Sequence, residues 1–148
     1  MHRDDAPMLK FICEKLKVGY VNVGDHFASY AVASKNDLLK IFAIFDKSPL
    51  NTSKHLNYLV FKKAYQLYFN SNGNKVAELR EKILTLKDSM NKKRVCFKQP
   101  ADHRIKITPY WLLGFVEAEG YFSVNVSGHR LEFGIGQTLG ELSVLEAI

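Results

Sequence analysis

The chain has 148 residues, enough for one compact domain with a hydrophobic core. Its 47% hydrophobic and 24% charged residues are typical of a folded protein and argue against an intrinsically disordered one. The formal charge of +6 favours a polyanionic partner such as a nucleic-acid backbone, although a basic protein without such a partner would carry the same charge.

The cysteines and the apolar runs argue against a disulfide framework and a membrane span. Cys13 and Cys96 are far apart in the sequence and form no metal-ligand pair, which favours a reducing compartment and idle or buried thiols. The apolar run at residues 42–45 is ended by Asp46 and Lys47 and is too short to cross a bilayer. No membrane partner is therefore expected.

The first half of the chain predicts a helix, a β-hairpin and two further helices. Asp5 and Pro7 are typical of a helix start, and Ser48–Pro49 is typical of a helix end. Gly24–Asp25 between two β-prone runs indicates a hairpin turn. The predicted elements are, in order, a helix over residues 5–17, strands over 18–23 and 27–34, a helix capped by Asn36 that ends at 47, and a helix from about Thr52 through Leu67.

The second half predicts two more helices, a second hairpin and the start of another helix. Thr108 and Pro109 are typical of an N-cap and a first helical turn. The predicted elements are a turn over residues 70–74, a helix over 75–90, a basic linker over 91–107, a helix over 108–120, strands over 121–127 and 129–137, and a helix from about 142. Residues 142–148 echo residues 6–12 in pattern, which suggests that the chain begins in one copy of a repeat and ends in the next. Coincidence between two amphipathic helix starts would give the same pattern.

The helix after residue 108 ends in an unusual way. Glu117 and Glu119 occupy its last turn, where the helix macrodipole is negative and cations are preferred. A divalent cation would reverse this penalty, because carboxylate and terminal carbonyl oxygens are hard ligands suited to magnesium. Alternatively, both side chains point to water at a cost of about a few tenths of a kcal/mol each. Gly114 and Ala118, four residues apart, form a small stripe that would let a second helix approach closely.

The stretch Leu112–Gly120, L-L-G-F-V-E-A-E-G, resembles the motif of the LAGLIDADG homing endonucleases. Glutamates replace both aspartates of the motif, and the Y-F-S-V stretch that follows is typical of the first strand of the family's DNA-reading sheet. The resemblance implies an α+β fold of αββαββα repeats with antiparallel, saddle-shaped sheets. It further implies that residues 1–90 are the end of a first repeat, 91–107 a basic linker, and 108–148 the start of a second repeat.

The resemblance also assigns candidate active-site residues. Glu119 and Gly120 correspond to the metal-binding end of the motif, and Glu117 corresponds to the earlier acid, whose role is less direct. Lys54 follows a tract, F-D-K-S-P-L-N-T-S-K, that resembles mitochondrial intron-encoded members, in which a lysine reaches the active site. Gln137 matches a polar strand-end residue near the metals. An exposed lysine and a turn-forming glutamine are the plainer alternatives for the last two residues.

Strand alternation predicts which residues of the hairpins face DNA. Phe122, Val124 and Val126 are expected to point inward, away from the nucleic acid. The outward positions would read the major groove, although a solvated strand residue has the same pattern. The candidate DNA-contacting residues are Ser123, Asn125, Ser127, Arg130 and Glu132, with Tyr20, Asn22 and Ser29 in the earlier hairpin.

By resemblance, the function is site-specific hydrolysis of double-stranded DNA with Mg²⁺ or another divalent cation, in a mitochondrion. The family builds its active site between two motif helices, so a second motif is expected from a longer parent chain or a dimer. Two other functions stay open: an RNA-binding maturase for a group I intron, which the basic residues 92–98 would suit, and an inactive remnant.

Overall fold

The computed structural model describes residues 1–70 and 76–148, so the predicted turn at 70–74 falls largely outside the described residues. The chain divides into two compact units, Met1–Ser48 (unit 1) and Pro49–Ile148 (unit 2). Both units combine helices with one two-stranded antiparallel hairpin, which confirms the predicted α+β class. Among the described residues no helix is both long and apolar enough to cross a membrane.

Unit 1 is a hairpin packed against one helix and followed by another. Val21, Val23, Ala28 and Tyr30 share one face of the hairpin, because side chains alternate along a strand. Ala28 of that face is completely buried and packs with Ala6 and Leu9 of the first helix, and the partly buried Ile12, Val21 and Tyr30 pack against this cluster. The elements are α1 (Ala6–Leu16), β1 (Tyr20–Val23), β2 (Ala28–Ala31) and α2 (Lys35–Lys47).

The two helix caps predicted in unit 1 differ from those observed. Ser34, and not Asn36, caps α2: its backbone is extended and its side chain accepts a hydrogen bond of 3.2 Å from the Asp37 N–H. Asn36 lies inside the first helical turn, where it cannot serve as a cap. Asp5 stands at the N-cap of α1 but makes no side-chain cap bond, because a 3-10 turn, Arg3–Asp5, already gives it helical backbone angles.

Unit 2 contains the motif helix and the second hairpin. Thr108 caps the motif helix as predicted, accepting a 3.1 Å hydrogen bond from the Trp111 N–H, and Pro109 is its first residue. Both strands are shorter than predicted because the chain already turns at residues 126–129. The elements are α3 (Lys54–Asn70), α4 (Val76–Asp88), α5 (Pro109–Glu119), β3 (Gly120–Asn125), β4 (Arg130–Ile135) and α6 (Leu142–Ala147).

The predicted basic linker, residues 91–107, is bonded to the helical part of unit 2. The Asn51 side chain, only 3% exposed, donates to the Lys106 carbonyl at 3.0 Å and accepts from the Lys106 N–H at 2.9 Å. Arg94 Nε donates to Asn57 Oδ1 of α3 at 3.0 Å. The linker is therefore held in unit 2 by backbone hydrogen bonds at Lys106 and by the side chain of Arg94.

The apolar face of β3–β4 is exposed, contrary to the prediction that its side chains point inward. The register pairs Phe122 with Phe133 and Val124 with Leu131, so the apolar residues do share one face. Phe122, Val124 and Leu131 are nevertheless 71–80% exposed, and Val126 in the turn is 80% exposed. Alternation places these residues on a common face, but the described part of the chain supplies nothing to cover it.

Candidate active site and nucleic-acid interface

Three predicted active-site residues line one open cavity of unit 2. Lys54 is the first residue of α3, Glu119 is the last residue of α5, and Gln137 follows β4. Lys54 lies 65 positions before Glu119 in the sequence, and Gln137 lies 18 positions after it. The fold therefore brings together a cation, a carboxylate and an amide from three separate elements.

Glu119 reaches the cavity because α5 stops abruptly at Gly120. The Gly120 N–H donates to the Val116 carbonyl, and the backbone then turns extended and enters β3 directly. A Cβ at Gly120 would lie 2.6 Å from the Val116 carbonyl oxygen, so a side chain there would require the backbone to shift. The Glu119 carbonyl accepts a 3.4 Å bond from the Gly136 N–H, which ties the end of α5 to the end of β4.

The Glu119 carboxylate is exposed, and none of the described residues pairs with it. It thus carries an uncompensated negative charge at the negative end of a helix, the arrangement that a cation would stabilise. Glu117 is exposed too, but it is not among the described residues that line the cavity. The structure therefore distinguishes Glu119, which lines the cavity, from Glu117, which does not, a difference that the sequence pattern alone did not predict.

The donor chemistry of the cavity fits part of a divalent metal site. Glu119 offers hard carboxylate oxygens, the kind that magnesium prefers, and the predicted ligand Gly120 follows it directly. Within residues 1–70 and 76–148, however, no group of three or more His, Cys, Asp or Glu side chains could hold a metal ion. Glu141 lines the cavity too, but both of its carboxylate oxygens accept from the Ser53 N–H, so among the described residues Glu119 offers the carboxylate that is open to a metal ion.

The small-residue stripe of α5 lies on the wall of the same cavity. Gly114 and Ala118 both line it, next to the stacked rings of Trp111 and Phe115, whose centroids are 4.6 Å apart. A Cβ at Gly114 would meet no described atom within 4 Å. The stripe is open among the described residues, and its role as a helix-packing surface stays a prediction.

Lys54 begins α3, where its positive charge opposes the helix macrodipole. Its backbone N–H donates to Thr52 Oγ1 at 3.3 Å, and its side chain is exposed. At the same helix end, both carboxylate oxygens of Glu141 accept from the Ser53 N–H, at 2.9 and 3.0 Å. Sequence reasoning missed Glu141, because its partner lies 88 residues away and no local pattern records the pairing.

The lead-in segment, defined as residues 50–53 before α3, is also held by the linker. His103 Nε2 lies 2.9 Å from the Leu50 carbonyl, and Gln99 donates to the Thr52 carbonyl at 3.3 Å. The ring of His103 lies against that of buried His55, with centroids 4.5 Å apart. Burial, followed by the charge of His103, lowers the pKa of His55, and Asp102 opposes the shift. None of these contacts was predicted.

The predicted DNA-contacting residues of β3–β4 divide into two groups. Ser123 faces Glu132 across the hairpin, on the face opposite the apolar one. Arg130 pairs with Glu132 at 3.1 Å, and the Tyr121 hydroxyl donates to Glu132 at 2.9 Å, a bond that raises the pKa of Tyr121. These side chains form an exposed polar row along the strands.

Asn125 and Ser127 hold the turn of this hairpin. Asn125 Oδ1 accepts from Ser127 Oγ and from the Gly128 N–H, both at 2.9 Å. Ser127 lies in the turn and not in the strand. Their role in contacting DNA stays a prediction, and the structure gives both residues a turn-stabilising role as well.

The earlier hairpin has the polar face that was predicted. Tyr20, Asn22 and Ser29 lie on the side opposite the core of unit 1, because Asn22 pairs with Ser29 while Val21 pairs with Tyr30. Tyr20 is 51% exposed and Asn22 is exposed, whereas Ser29 is half-buried.

Comparison with known proteins agrees with this fold. A sequence model described as LAGLIDADG endonuclease matches residues 1–65. A probable intron-encoded endonuclease of Schizosaccharomyces pombe is 33% identical over 117 residues, which are 78% of this chain and 30% of that protein. A probable intron-encoded endonuclease of Neurospora crassa is 26% identical over 150 residues, covering 90% of this chain and 28% of that protein.

Solved structures match almost the whole chain. The homing endonuclease I-GzeII, in complex with its DNA target, matches with a TM-score of 0.82 and 24% identity over 99% of this chain and 57% of its own. I-SmaMI bound to cleaved DNA matches with a TM-score of 0.78 and 26% identity over the same shares. The present chain thus spans about 57% of these structures and less than a third of the curated relatives.

The chain belongs to the LAGLIDADG endonuclease family. The family assignment made from residues 112–120 is confirmed by matches that start at the other end of the chain, since the sequence model covers residues 1–65.

Proposed function

We propose that this chain is part of a site-specific endonuclease that hydrolyses double-stranded DNA in a magnesium-dependent reaction. The observation that carries the proposal is the meeting of Lys54, Glu119 and Gln137 in one cavity. The resemblance named these three residues, and they line the same open space on unit 2. The solved relatives, whose structures include complexes with DNA, support the substrate class.

Each residue has a role that its chemistry suits. Glu119, with the backbone of Gly120, would hold a divalent ion, which when bound supplies charge stabilisation to the phosphoryl oxygens during cleavage. The exposed Lys54 ammonium would pair with a phosphate oxygen, which also removes the penalty of a cation at a helix N-terminus. The Gln137 side chain would orient water or phosphate by hydrogen bonds.

The polar faces of the two hairpins would contact the DNA. Ser123, Arg130 and Glu132 form the row on β3–β4, and Tyr20, Asn22 and Ser29 form the one on β1–β2. Antiparallel strands of this kind fit the major groove, where base edges present a distinct pattern for each base pair. The net charge of +6 favours the encounter with DNA through release of counterions.

The Glu141 carboxylate at the cavity is engaged by the Ser53 N–H, and Glu119 alone provides too few ligands for the proposed metal site, so a second LAGLIDADG motif would complete it. The open stripe of Gly114 and Ala118 is the surface on which a second motif helix would pack, from a longer parent chain or another copy. Two of the relatives are probable intron-encoded endonucleases, and a third, from Saccharomyces cerevisiae, is an uncharacterised mitochondrial protein that is 34% identical over 110 residues. These relatives support a mitochondrial location, which is part of our proposal.

Cleavage of a randomised DNA pool tests the proposal. The chain, produced with any coding sequence that flanks it in its reading frame, is incubated with double-stranded DNA and Mg²⁺, and the new ends are sequenced. We expect cuts at one sequence class and none in the presence of EDTA. Failure to cut with either Mg²⁺ or Mn²⁺, or binding of intron RNA without any cutting, would overturn the proposal.

A further inference from the structure

We propose that Glu141 is a positioning residue that fixes the start of α3 and thereby holds the Lys54 ammonium at the cavity. The inference rests on the proposed function for its catalytic consequence, but its structural part stands independently. Glu141 lies in the 3-10 turn Leu139–Glu141, just after the segment that carries Gln137.

The Glu141 carboxylate is buried and hydrogen-bonded to the start of α3. The residue is only 8% exposed, and no lysine or arginine of the described chain forms an ion pair with it. A buried carboxylate without a cation is unfavourable unless hydrogen bonds and dipoles compensate it. The Ser53 N–H, bonded to both oxygens, and the positive end of the 17-residue helix α3 supply that compensation.

This contact connects two parts of the candidate site. Ser53 directly precedes Lys54, whereas Glu141 follows Gln137 by four residues in the sequence. Among the described residues, the other long-range hydrogen bonds of residues 50–53 run to the linker, through partners such as Lys106 and His103. The Glu141 contact therefore connects the start of α3 directly to the segment that follows β4.

The same carboxylate also offsets the charge of Lys54. A lysine in the first turn of a helix is destabilised by the macrodipole, and a nearby anion reduces that penalty. Loss of the negative charge would weaken the hydrogen bond from the Ser53 N–H to residue 141. It would also leave Lys54 at a positive helix end that no nearby anion compensates. Because small displacements of a catalytic group cost much of its effect on rate, the change would appear at the chemical step.

The kinetic test is a double-mutant cycle on single-turnover DNA cleavage. We expect Glu141→Gln to lower the cleavage rate about tenfold while the DNA dissociation constant stays within about twofold. Glu141→Asp, which keeps the charge, should restore part of the rate. Glu146→Gln, an exposed acid in α6, is the matched control and should leave the rate unchanged.

The cycle separates positioning from a general structural role. If Glu141 acts through Lys54, Glu141→Gln has no further effect when combined with Lys54→Met, because coupled residues are not additive. Additive losses in the double variant would overturn the proposal.

Hydrogen exchange tests the structural part without any cleavage. Peptides that cover residues 50–57 should exchange faster in Glu141→Gln and at the wild-type rate in Glu146→Gln. Unchanged exchange would refute the positioning role even if the wild type cuts DNA. A wild type that does not cut would refute the proposed function, and the exchange result would still decide whether Glu141 holds the start of α3.

Discussion

The two hairpins of the molecule have the same alternation of apolar and polar side chains, but only the first has its apolar face buried by the described residues. On β1–β2 the apolar face packs against α1, and Ala28 is fully buried there. On β3–β4 the apolar face is open, with Leu131 and Phe122 each 80% exposed. The difference shows that strand alternation determines which side chains share a face, whereas burial depends on whether a helix is present to cover that face.

Helix α5, like the hairpin that follows it, has apolar side chains that the described residues do not bury. None of its 11 residues is buried by the described chain, although it carries Trp111, Leu112, Phe115 and other apolar side chains. Exposed apolar surfaces of this kind often mark sites of interaction, and we propose that a second motif helix packs here. Unit 2 thus has an open packing surface beside the candidate site, while the hairpin of unit 1 is covered.

The largest expected contrast is in the stability of the two hairpins. Leu9→Ala removes a buried side chain from α1 and should lower the free energy of unfolding of unit 1 by about 2–5 kcal/mol. Leu131→Ala removes an exposed side chain of β4 and should change stability by less than about 0.5 kcal/mol. Urea unfolding of both variants measures the difference. A large, concentration-dependent loss for Leu131→Ala would show that a second copy covers this face in solution.

A smaller effect tests the start of α2. Ser34→Ala removes the observed cap and should cost about 1 kcal/mol of unfolding free energy, because the Asp37 N–H loses its acceptor. Asn36→Ala, two residues away, should be nearly neutral. Thermal unfolding of the two variants compares them, and equal losses would mean that the cap is shared.

The smallest effect is a pH dependence confined to unit 2. Burial and the charge of His103 lower the pKa of His55, so the unfolded chain binds a proton more readily than the folded one. Stability should therefore be full above the ordinary histidine pKa of about 6.5 and decline as the pH falls below it. His55→Gln should flatten this decline. Melting curves at pH 7.5 and 5.5 provide the measurement, and an unchanged slope in the variant would assign it to other groups.

The sequence predicted the elements well where local chemistry determines them. Thr108 and Pro109 begin α5, Gly120 ends it, and Ser48 ends α2, because caps, prolines and glycines act within a few residues. The meeting of Lys54, Glu119 and Gln137 was predicted from the resemblance, since spacing alone does not bring distant residues together.

The features that the sequence missed are tertiary. Glu141 bonds to Ser53 and Asn51 bonds to Lys106 over separations of 88 and 55 residues, and neither pair leaves a local pattern. The exposure of Phe122 was missed for a related reason: the cover of a strand face comes from elsewhere in the fold or from another chain. Such contacts depend on the packing of whole elements and not on any short motif.

The most direct test of the account compares the two acids at the end of α5. Glu119→Gln removes the carboxylate that lines the cavity, and Glu117→Gln removes the exposed one that does not. With Mg²⁺ and a cleavable DNA site, we expect Glu119→Gln to lower the cleavage rate by about 100-fold or more while DNA binding persists, and Glu117→Gln to have a much smaller effect. A Glu119→Gln variant that cuts at the wild-type rate would contradict this expectation.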